Sequence, residues 1–402
     1  MTQNHTSAVT GVTIEVSIIV PARNEEVSLK RCLRSLVEQQ GVRFELIVVD
    51  DGSTDSTPAI IANFVAMDDC PFVSSNGFLA VVRGLQAGRL EPGWTGKSNA
   101  VWAAAQQAQG EWLLFTDADT VHEPGSLARA VLEAKEHDAV MLSYSPKQEL
   151  VSVGERALMP LIFAELASRF RPSEVCDPAS PVAAANGQYL LVRRDIYFAL
   201  GGHESVAGDL LEDVGLAKRV KQAGGKIRFR FGGDEVHARM YRSWAQLVEG
   251  WTKNLVLLFP DARRLAWRRI SEFASIGLML LVSLAAVAGG NTVLAGFSLA
   301  VFAAMIAGFI LRVRRSHCGL LNNAISFFGL PLFGRLLLRS GKMHENRTIT
   351  WKGRFYSGSE STGNAGASHV VDKAHPGSPA DILTVSPHSS HQENHGLSDP
   401  KV

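Results

Sequence analysis

At 402 residues, with 46% apolar side chains and a formal net charge of +1, the chain is long enough for one large domain plus an accessory region. That near-neutral balance argues against a nucleic-acid binder relying on a broad basic surface. Four cysteines, Cys32, Cys70, Cys176 and Cys318, lie far apart with no CxxC pair, a spacing that suits neither a zinc site nor a disulfide framework and fits a reducing compartment.

Met1 to Gly11 is polar and lacks an apolar core, so residues 1–12 read as a flexible start without a signal peptide. From Glu15 to Tyr144 short apolar runs alternate with helical stripes. Strands are predicted at Val16–Val20, Glu45–Val49, Leu79–Val82, Trp112–Thr116 and Ala139–Ser143, and helices at Glu25–Gln39, Thr57–Val65, Ser98–Gln107 and Gly125–Lys135. In the first helix Val27, Cys32, Leu33, Leu36 and Val37 form one face, and Gly41 ends it. This alternation predicts an α/β class with a mostly parallel sheet, whose ligands bind beyond the carboxyl ends of the strands. Three polar clusters fall at such ends: Pro21-Ala22-Arg23-Asn24-Glu25, Asp50-Asp51-Gly52-Ser53 and Asp117-Ala118-Asp119.

Beyond Leu150 the pattern is mixed helix and loop. Tyr241–Pro260 sets Trp244, Trp251, Lys253 and Phe259 among aliphatics, and the Arg-rich Ala262–Ile270 follows. Residues 241–271 read as amphipathic helices in a headgroup layer, with a core helix as the alternative. Phe273–Ala288 and Val293–Leu311 carry no charge and are joined by a Gly-Gly-Asn turn, which predicts a transmembrane hairpin over 272–312. Arg263, Arg264, Arg268 and Arg269 precede it and Arg312, Arg314 and Arg315 follow it. Two crossings put both clusters on the cytoplasmic face of an inner membrane. Gly319–Leu338 is interrupted by Asn322, Asn323, Pro331 and Arg335, so 313–356 is expected to be re-entrant or interfacial. Residues 357–402, rich in Ser, Gly, His and Pro, are expected to be disordered.

The chemistry concentrates in acidic residues. A strand delivering Asp117 and Asp119 to the sheet edge would turn both carboxylates the same way. Such a pair repels itself unless a cation or hydrogen-bond donor offsets it, and hard oxygens beside a diphosphate suit Mg²⁺ or Mn²⁺. A solvated turn is the plain alternative. Asp50 and Asp51 could accept hydrogen bonds from a base and ribose, or merely shape a turn. Gly93-Trp94-Thr95-Gly96-Lys97-Ser98-Asn99 opens a helix, where Lys97 and the helix N-terminus would favour phosphate; its spacing is not that of a P-loop. Glu212 and Asp213 begin another helix, as a cap or as a general base.

Six blocks, VSIIVPARNEE, VVDDGSTDST, GWTGKSNA, LLFTDAD, NGQY and LEDVGLAKRVKQAG, together resemble the family 2 glycosyltransferases of the GT-A fold from Glu15 to Asn254. RMYRSWAQLVEGWTKN, the apolar spans and TITWKGRFY are similar to a branch of hopene-associated, carotenoid and ceramide-type enzymes. The resemblance implies a Rossmann-like GT-A domain over 13–240 that carries out inverting transfer from a nucleotide-sugar to a lipid-like acceptor at the membrane, with a divalent metal and no nucleic acid. It implies that Pro21, Arg23, Glu25, Asp50, Asp51, Lys97, Asn99 and Asp117 bind the donor, joined by Asn186, Gly187 and Gln188. Asp119 with Asp117 would hold the metal, Asp213 would be the base with Glu212 beside it, and Trp244, Trp251, Trp351 and Arg354 would serve the acceptor and membrane side. Where some relatives carry Gln-x-x-Arg-Trp, this chain has Leu247, Gly250 and Trp251, which favours single transfer over polymer synthesis. Branch members with an N-terminal span differ from this chain, so anchoring is expected from the C-terminal segments. A polyprenyl-phosphate acceptor and an inactive membrane scaffold of the same fold are the alternatives. A dehydrogenase is disfavoured because no GxGxxG follows the first strand.

Overall fold

The structure is a computed structural model that describes residues 13–66, 80–356 and 370–372. The expected flexible start, Cys70, and all but three residues of the expected disordered tail lie outside the described residues.

The chain enters through β1 (Val16–Ala22), α1 (Leu29–Val37), β2 (Phe44–Asp50), α2 (Thr57–Ala66), β3 (Ala80–Gln86), α3 (Gly96–Ala105) and β4 (Trp112–Phe115). It continues through β5 (Thr120–His122), α4 (Ser126–Glu136), β6 (Met141–Ser145), β7 (Lys147–Gln148), α5 (Val153–Arg169), α6 (Pro172–Val175), β8 (Leu190–Arg193), α7 (Arg194–Ala199), α8 (Glu212–Gln222), β9 (Ile227–Phe231) and β10 (Val236–Ala238). The main sheet runs β3-β2-β1-β4-β8-β6-β9. Every neighbouring pair is parallel except those of β8, which lies antiparallel to both β4 and β6. This is the mostly parallel α/β sheet expected. β1 and β2 are near-continuous apolar runs because helices cover both faces of the sheet: α1, α2 and α4 pack on one face, and α3, α7 and α8 on the other. The expected strands fall within a few residues of the observed ones. The first helix begins four residues late, at Leu29, because the backbone amides from Asn24 to Glu26 are held by the loop after β2.

Glu45 is a buried charge near the start of β2. It accepts from Ser17 Oγ at 2.6 Å and from the Gln109 amide at 2.7 Å, and it pairs with Arg83, which is how a carboxylate survives there.

After the sheet come α9 (Trp244–Leu258), α10 (Ala262–Ala288), α11 (Thr292–Val313), α12 (Leu320–Ile325) and α13 (Leu330–Glu345). They are followed by β11 (Ile349–Trp351), β12 (Arg354–Tyr356) and β13 (Val370–Asp372), which form a small antiparallel sheet. β13 lies inside the stretch expected to lack structure. Among the described residues, Ala262–Ala288, Thr292–Ser316 and Leu320–Glu345 are long and apolar enough to cross a membrane. The boundary expected at residue 271 is not a break. α10 is one helix of 27 residues, about 40 Å long, because nothing between Arg263 and Phe273 interrupts helical hydrogen bonding. α9 is not laid flat on its apolar side either. Leu247, Trp251 and Leu255 are buried against α5 and α13, which is the core-helix alternative.

Gly329 lets α13 start against α5, since a Cβ there would overlap the Ala157 carbonyl. Beside that contact sits a charge cluster. Arg269 of α10 meets Glu165 of α5 at 2.8 Å and Glu272 at 2.7 Å, and Arg312 of α11 meets Glu272 at 2.7 Å. These side chains are largely buried, so removing one carboxylate leaves guanidinium charge uncompensated. Glu165→Ala is expected to destabilise the protein by about 3–5 kcal/mol in denaturant unfolding in micelles. A loss below about 1 kcal/mol would place the cluster among solvated ion pairs.

Candidate active site

The loop after β1 is fastened to the loop after β2. Asn24, at φ +53°, donates its backbone N–H to Ser53 Oγ at 3.0 Å and accepts from the Thr54 amide at 2.8 Å. The Glu25 amide donates to Thr57 Oγ1 at 2.8 Å and the Glu26 amide to Asp55 at 3.1 Å. This lacing aims Arg23 and Glu25 into a cleft at the carboxyl ends of β1, β2 and β4. Asp51 also lines that cleft. Asp50 does not. It is buried and accepts from the Ser53 amide at 3.1 Å, which is the turn role, with Gly52 at φ +67° completing the bend.

α3 is capped by Thr95, whose Oγ1 accepts from the Ser98 amide at 3.1 Å. Lys97, on its first turn, places Nζ 2.7 Å from Asp117 and 2.8 Å from Glu212. Asn99, two residues on, faces elsewhere because a helix turns about 100° per residue; its amide donates to the Gly88 carbonyl at 3.3 Å. Asn99 therefore falls outside the cleft, contrary to expectation.

β4 ends at Phe115, so Asp117 and Asp119 stand in the following turn rather than on an extended strand. Thr120 Oγ1 donates to the Asp117 carbonyl at 2.7 Å, which shapes that turn. Both carboxylates nevertheless face the cleft. The Asn186-Gly187-Gln188 turn spans the gap between them and Asp213. The Gly187 amide donates to Asp213 Oδ2 at 2.8 Å, and Gln188 Nε2 donates to Asp119 Oδ1 at 3.4 Å. A side chain at 187 would crowd Lys97 Nζ, with a Cβ only 3.0 Å away. Asp119, Asp213, Glu212 and Lys97 thus share one cavity.

Burial pushes Asp213 up to about 6, helped by Glu212 and opposed by Lys97 and by hydrogen bonds from the Gly187 and Val214 amides. Burial also acts against ionised Glu212, but the adjacent Lys97 outweighs it and holds that carboxyl below the usual range. Asp119 is pushed up to about 7 by burial and by the charges of Asp117 and Glu25. That carboxylate is short of positive charge, so the residues fit a divalent cation. Among the described residues no cluster of three His, Cys, Asp or Glu is arranged to hold a metal alone. A cation held by one or two carboxylates and completed by substrate phosphates is the usual Mg²⁺ arrangement.

The cleft measures about 1000 Å³ and runs from these acidic groups past Phe163, Leu166 and Phe170 to Arg314 and Arg315 at the end of α11. Of the residues expected on the acceptor side, Trp244 is 52% exposed. Trp251 is buried, with Nε1 donating to Met159 Sδ at 3.2 Å and its ring edge-on to Phe163. Trp351 lines the cleft with Lys253 Nζ 5.0 Å above its ring. Arg354 lies at the opposite end from its expected place, donating to both oxygens of Asp51 at 2.5 and 3.1 Å. Lys352 donates to Glu25 at 2.5 Å and to the Arg23 carbonyl at 2.9 Å. Lys253 and Lys352 were not expected in the site, although both lie in blocks that carry the resemblance, RMYRSWAQLVEGWTKN and TITWKGRFY.

Removing Lys97 should make Asp213 harder to ionise, since Lys97 now favours its charged form. Lys97→Met is expected to move the Asp213 titration above about 6, read as the carboxylate infrared band lost in Asp213→Asn. An unmoved midpoint would show that the two groups are uncoupled.

Residues 17–197 match the family model described as Glycosyl transferase family 2. The chain is 28% identical over 258 residues to the 4,4'-diaponeurosporenoate glycosyltransferase of Staphylococcus haemolyticus, covering 61% of this chain and 62% of that protein. It is 26% identical over 358 residues to the protein of that name from a Staphylococcus aureus strain, covering 85% of this chain and 88% of the relative. Among solved structures it is similar to the mannosyltransferase PcManGT from Pyrobaculum calidifontis in complex with GDP-Man and Mn²⁺, with 18% identity, coverage of 82% and 86%, and a TM-score of 0.49.

Proposed function

This chain carries a family 2 glycosyltransferase domain over residues 17–197, and on that premise we propose that it moves a sugar from a nucleotide-sugar to a lipid-like acceptor at a membrane surface, with inversion at the anomeric carbon. One observation carries the reading: a single cleft joins the carboxylate-lined end, where Asp117, Asp119 and Asp213 meet, to an apolar end beside the apolar helices. The donor belongs at the carboxyl ends of the strands, with Asp51 toward the nucleoside and Lys97 toward the diphosphate. The acceptor enters from the side of Phe163, Leu166 and Phe170.

Asp213 is the proposed general base. It is pinned by the Gly187 and Val214 amides, and with its carboxyl near 6 it is ionised at neutral pH yet basic enough to take the acceptor proton. Glu212, held ionised by Lys97, keeps that lysine in place. Gly187 keeps the approach between Lys97 and Asp213 open. Asp119 with Asp117 would hold a Mg²⁺ or Mn²⁺ ion, which when bound neutralises the departing nucleoside diphosphate.

The basic groups also suit an inner-membrane setting. Arg263, Arg264 and Arg268 are exposed at the start of α10, and Arg314 and Arg315 follow α11, so a two-crossing hairpin puts both clusters on the cytoplasmic face. Arg314, Arg315 and His317 at the far end of the cleft favour an acceptor with a polar or anionic head. The 4,4'-diaponeurosporenoate for which the relatives are named is a carboxylate and of that kind, and a polyprenyl phosphate would be as well.

Asp213→Asn is expected to lower kcat by about 10²–10⁴-fold while nucleotide affinity changes little. In the unmodified protein kcat should fall as pH drops through about 6, because the protonated acid cannot accept a proton. Radiolabelled transfer from a panel of nucleotide-sugars into lipid extract measures both. Undiminished turnover in Asp213→Asn would remove this residue from the mechanism.

A further inference from the structure

The donor end of the cleft is crowded with acid. Glu25, Asp51, Asp117, Asp119, Glu212 and Asp213 all line it. A nucleotide-sugar brings a diphosphate to this place, so the site has to supply cations or repel its own substrate. The glycosyltransferase domain contributes Lys97, already shared between Asp117 and Glu212. The remaining supply includes two cations from beyond the apolar helices: Lys352 and Arg354, on the hairpin of β11 and β12 that follows α13.

These two residues are seated in the site. Arg354 is buried and forks onto Asp51 from 303 residues away. Lys352 reaches the Glu25 carboxylate and the Arg23 carbonyl. The domain is shaped to admit them. Gly96, at the start of α3, has no left-handed backbone that would demand glycine. A Cβ there would overlap the Arg354 guanidinium and the Asp51 carboxylate. Glycine at 96 is therefore a matter of space, and the space is filled by Arg354. The contact falls at the helix N-terminus and the strand ends, where a diphosphate is expected, and a guanidinium fork matches phosphate geometry as well as carboxylate.

We propose that the hairpin Ile349–Tyr356 completes the donor site, with Arg354 and Lys352 receiving the diphosphate of the nucleotide-sugar, and with Asp51, Glu25 and Gly96 holding them in position. This rests on the glycosyltransferase reading and assigns a donor-binding role to a segment placed after the apolar helices.

Calorimetry on the full-length protein in detergent, with Mg²⁺ or Mn²⁺, tests it with UDP and GDP as probes and with the matching monophosphates as controls. Arg354→Ala is expected to weaken the preferred diphosphate by about 10- to 100-fold and its monophosphate much less. Gly96→Ala should reproduce that selective loss, and the double variant should lose no more than either single one, because both remove the same guanidinium. Arg354→Lys should recover part of the affinity. Unchanged diphosphate binding in Arg354→Ala overturns the proposal, as does an equal loss of mono- and diphosphate, which would mean that the hairpin merely props the nucleoside pocket. If the unmodified protein binds neither nucleotide, the glycosyltransferase reading fails first and this one with it.

Discussion

The feature on which the site depends is the meeting of like charges at one sheet edge. Six carboxylates from the loops after β1, β2 and β4 and from the start of α8 face one cleft. In a desolvated pocket that arrangement cannot stand unless every negative group finds a proton, a donor or a cation. The structure uses all three. Lys97 neutralises Asp117 and Glu212, backbone amides stabilise Asp213, Arg354 and Lys352 cover Asp51 and Glu25, and burial with the neighbouring carboxylates pushes Asp119 up to about 7, which favours retention of its proton. The uneven outcome is chemically useful. Neighbouring carboxyls in one pocket acquire different affinities for protons, and in the proposed reading that would let Asp213 act as a base while Asp119 awaits a cation.

Much of this was legible in the sequence because it is local. β1, β2 and β4 are apolar runs whose ends coincide with polar clusters, and a parallel sheet obliges those ends to gather. Asp51, Asp117, Asp119, Lys97 and Asp213 were found by that rule and by the blocks around them. The failures have local causes too. Asn99 sits in the same block as Lys97, yet two helical residues turn it away. Asp50 neighbours Asp51, yet its oxygen is used by the Ser53 amide. Trp251 has the composition of an interfacial anchor, but its position with Leu247 and Leu255 on one stripe of α9 makes it core.

What no local rule could reach is pairing across the chain. Arg354 is assigned to the acceptor and membrane side by the resemblance alone. Its partner, Asp51, lies 303 residues earlier, and nothing in the spacing of either announces the other. Gly96 was legible as a phosphate-approach glycine, whereas its steric reason is a guanidinium from the far end of the chain. The continuity of α10 was hidden in the same way. Arginines and apolar residues look like two segments when composition is read, but the helix does not stop where the composition changes, since backbone hydrogen bonding is indifferent to it.

These long-range contacts make the apolar helices part of the framework around the cleft. α5 leaves the sheet domain and is tied to α10 and α11 by the Glu165, Arg269, Glu272 and Arg312 cluster. α13 packs on α5 with no room for a side chain at Gly329, and the hairpin after α13 returns to Asp51. The polypeptide therefore closes a loop: sheet edge, α5, apolar helices, hairpin, sheet edge. Each joint is an ion pair or a close backbone contact, so the two ends of the cleft are connected through packed elements. In the proposed reading, a donor near Asp51 and an acceptor beside Phe163 would both lie within this one circuit, and a constrained separation is what orientation of two substrates for a single displacement requires.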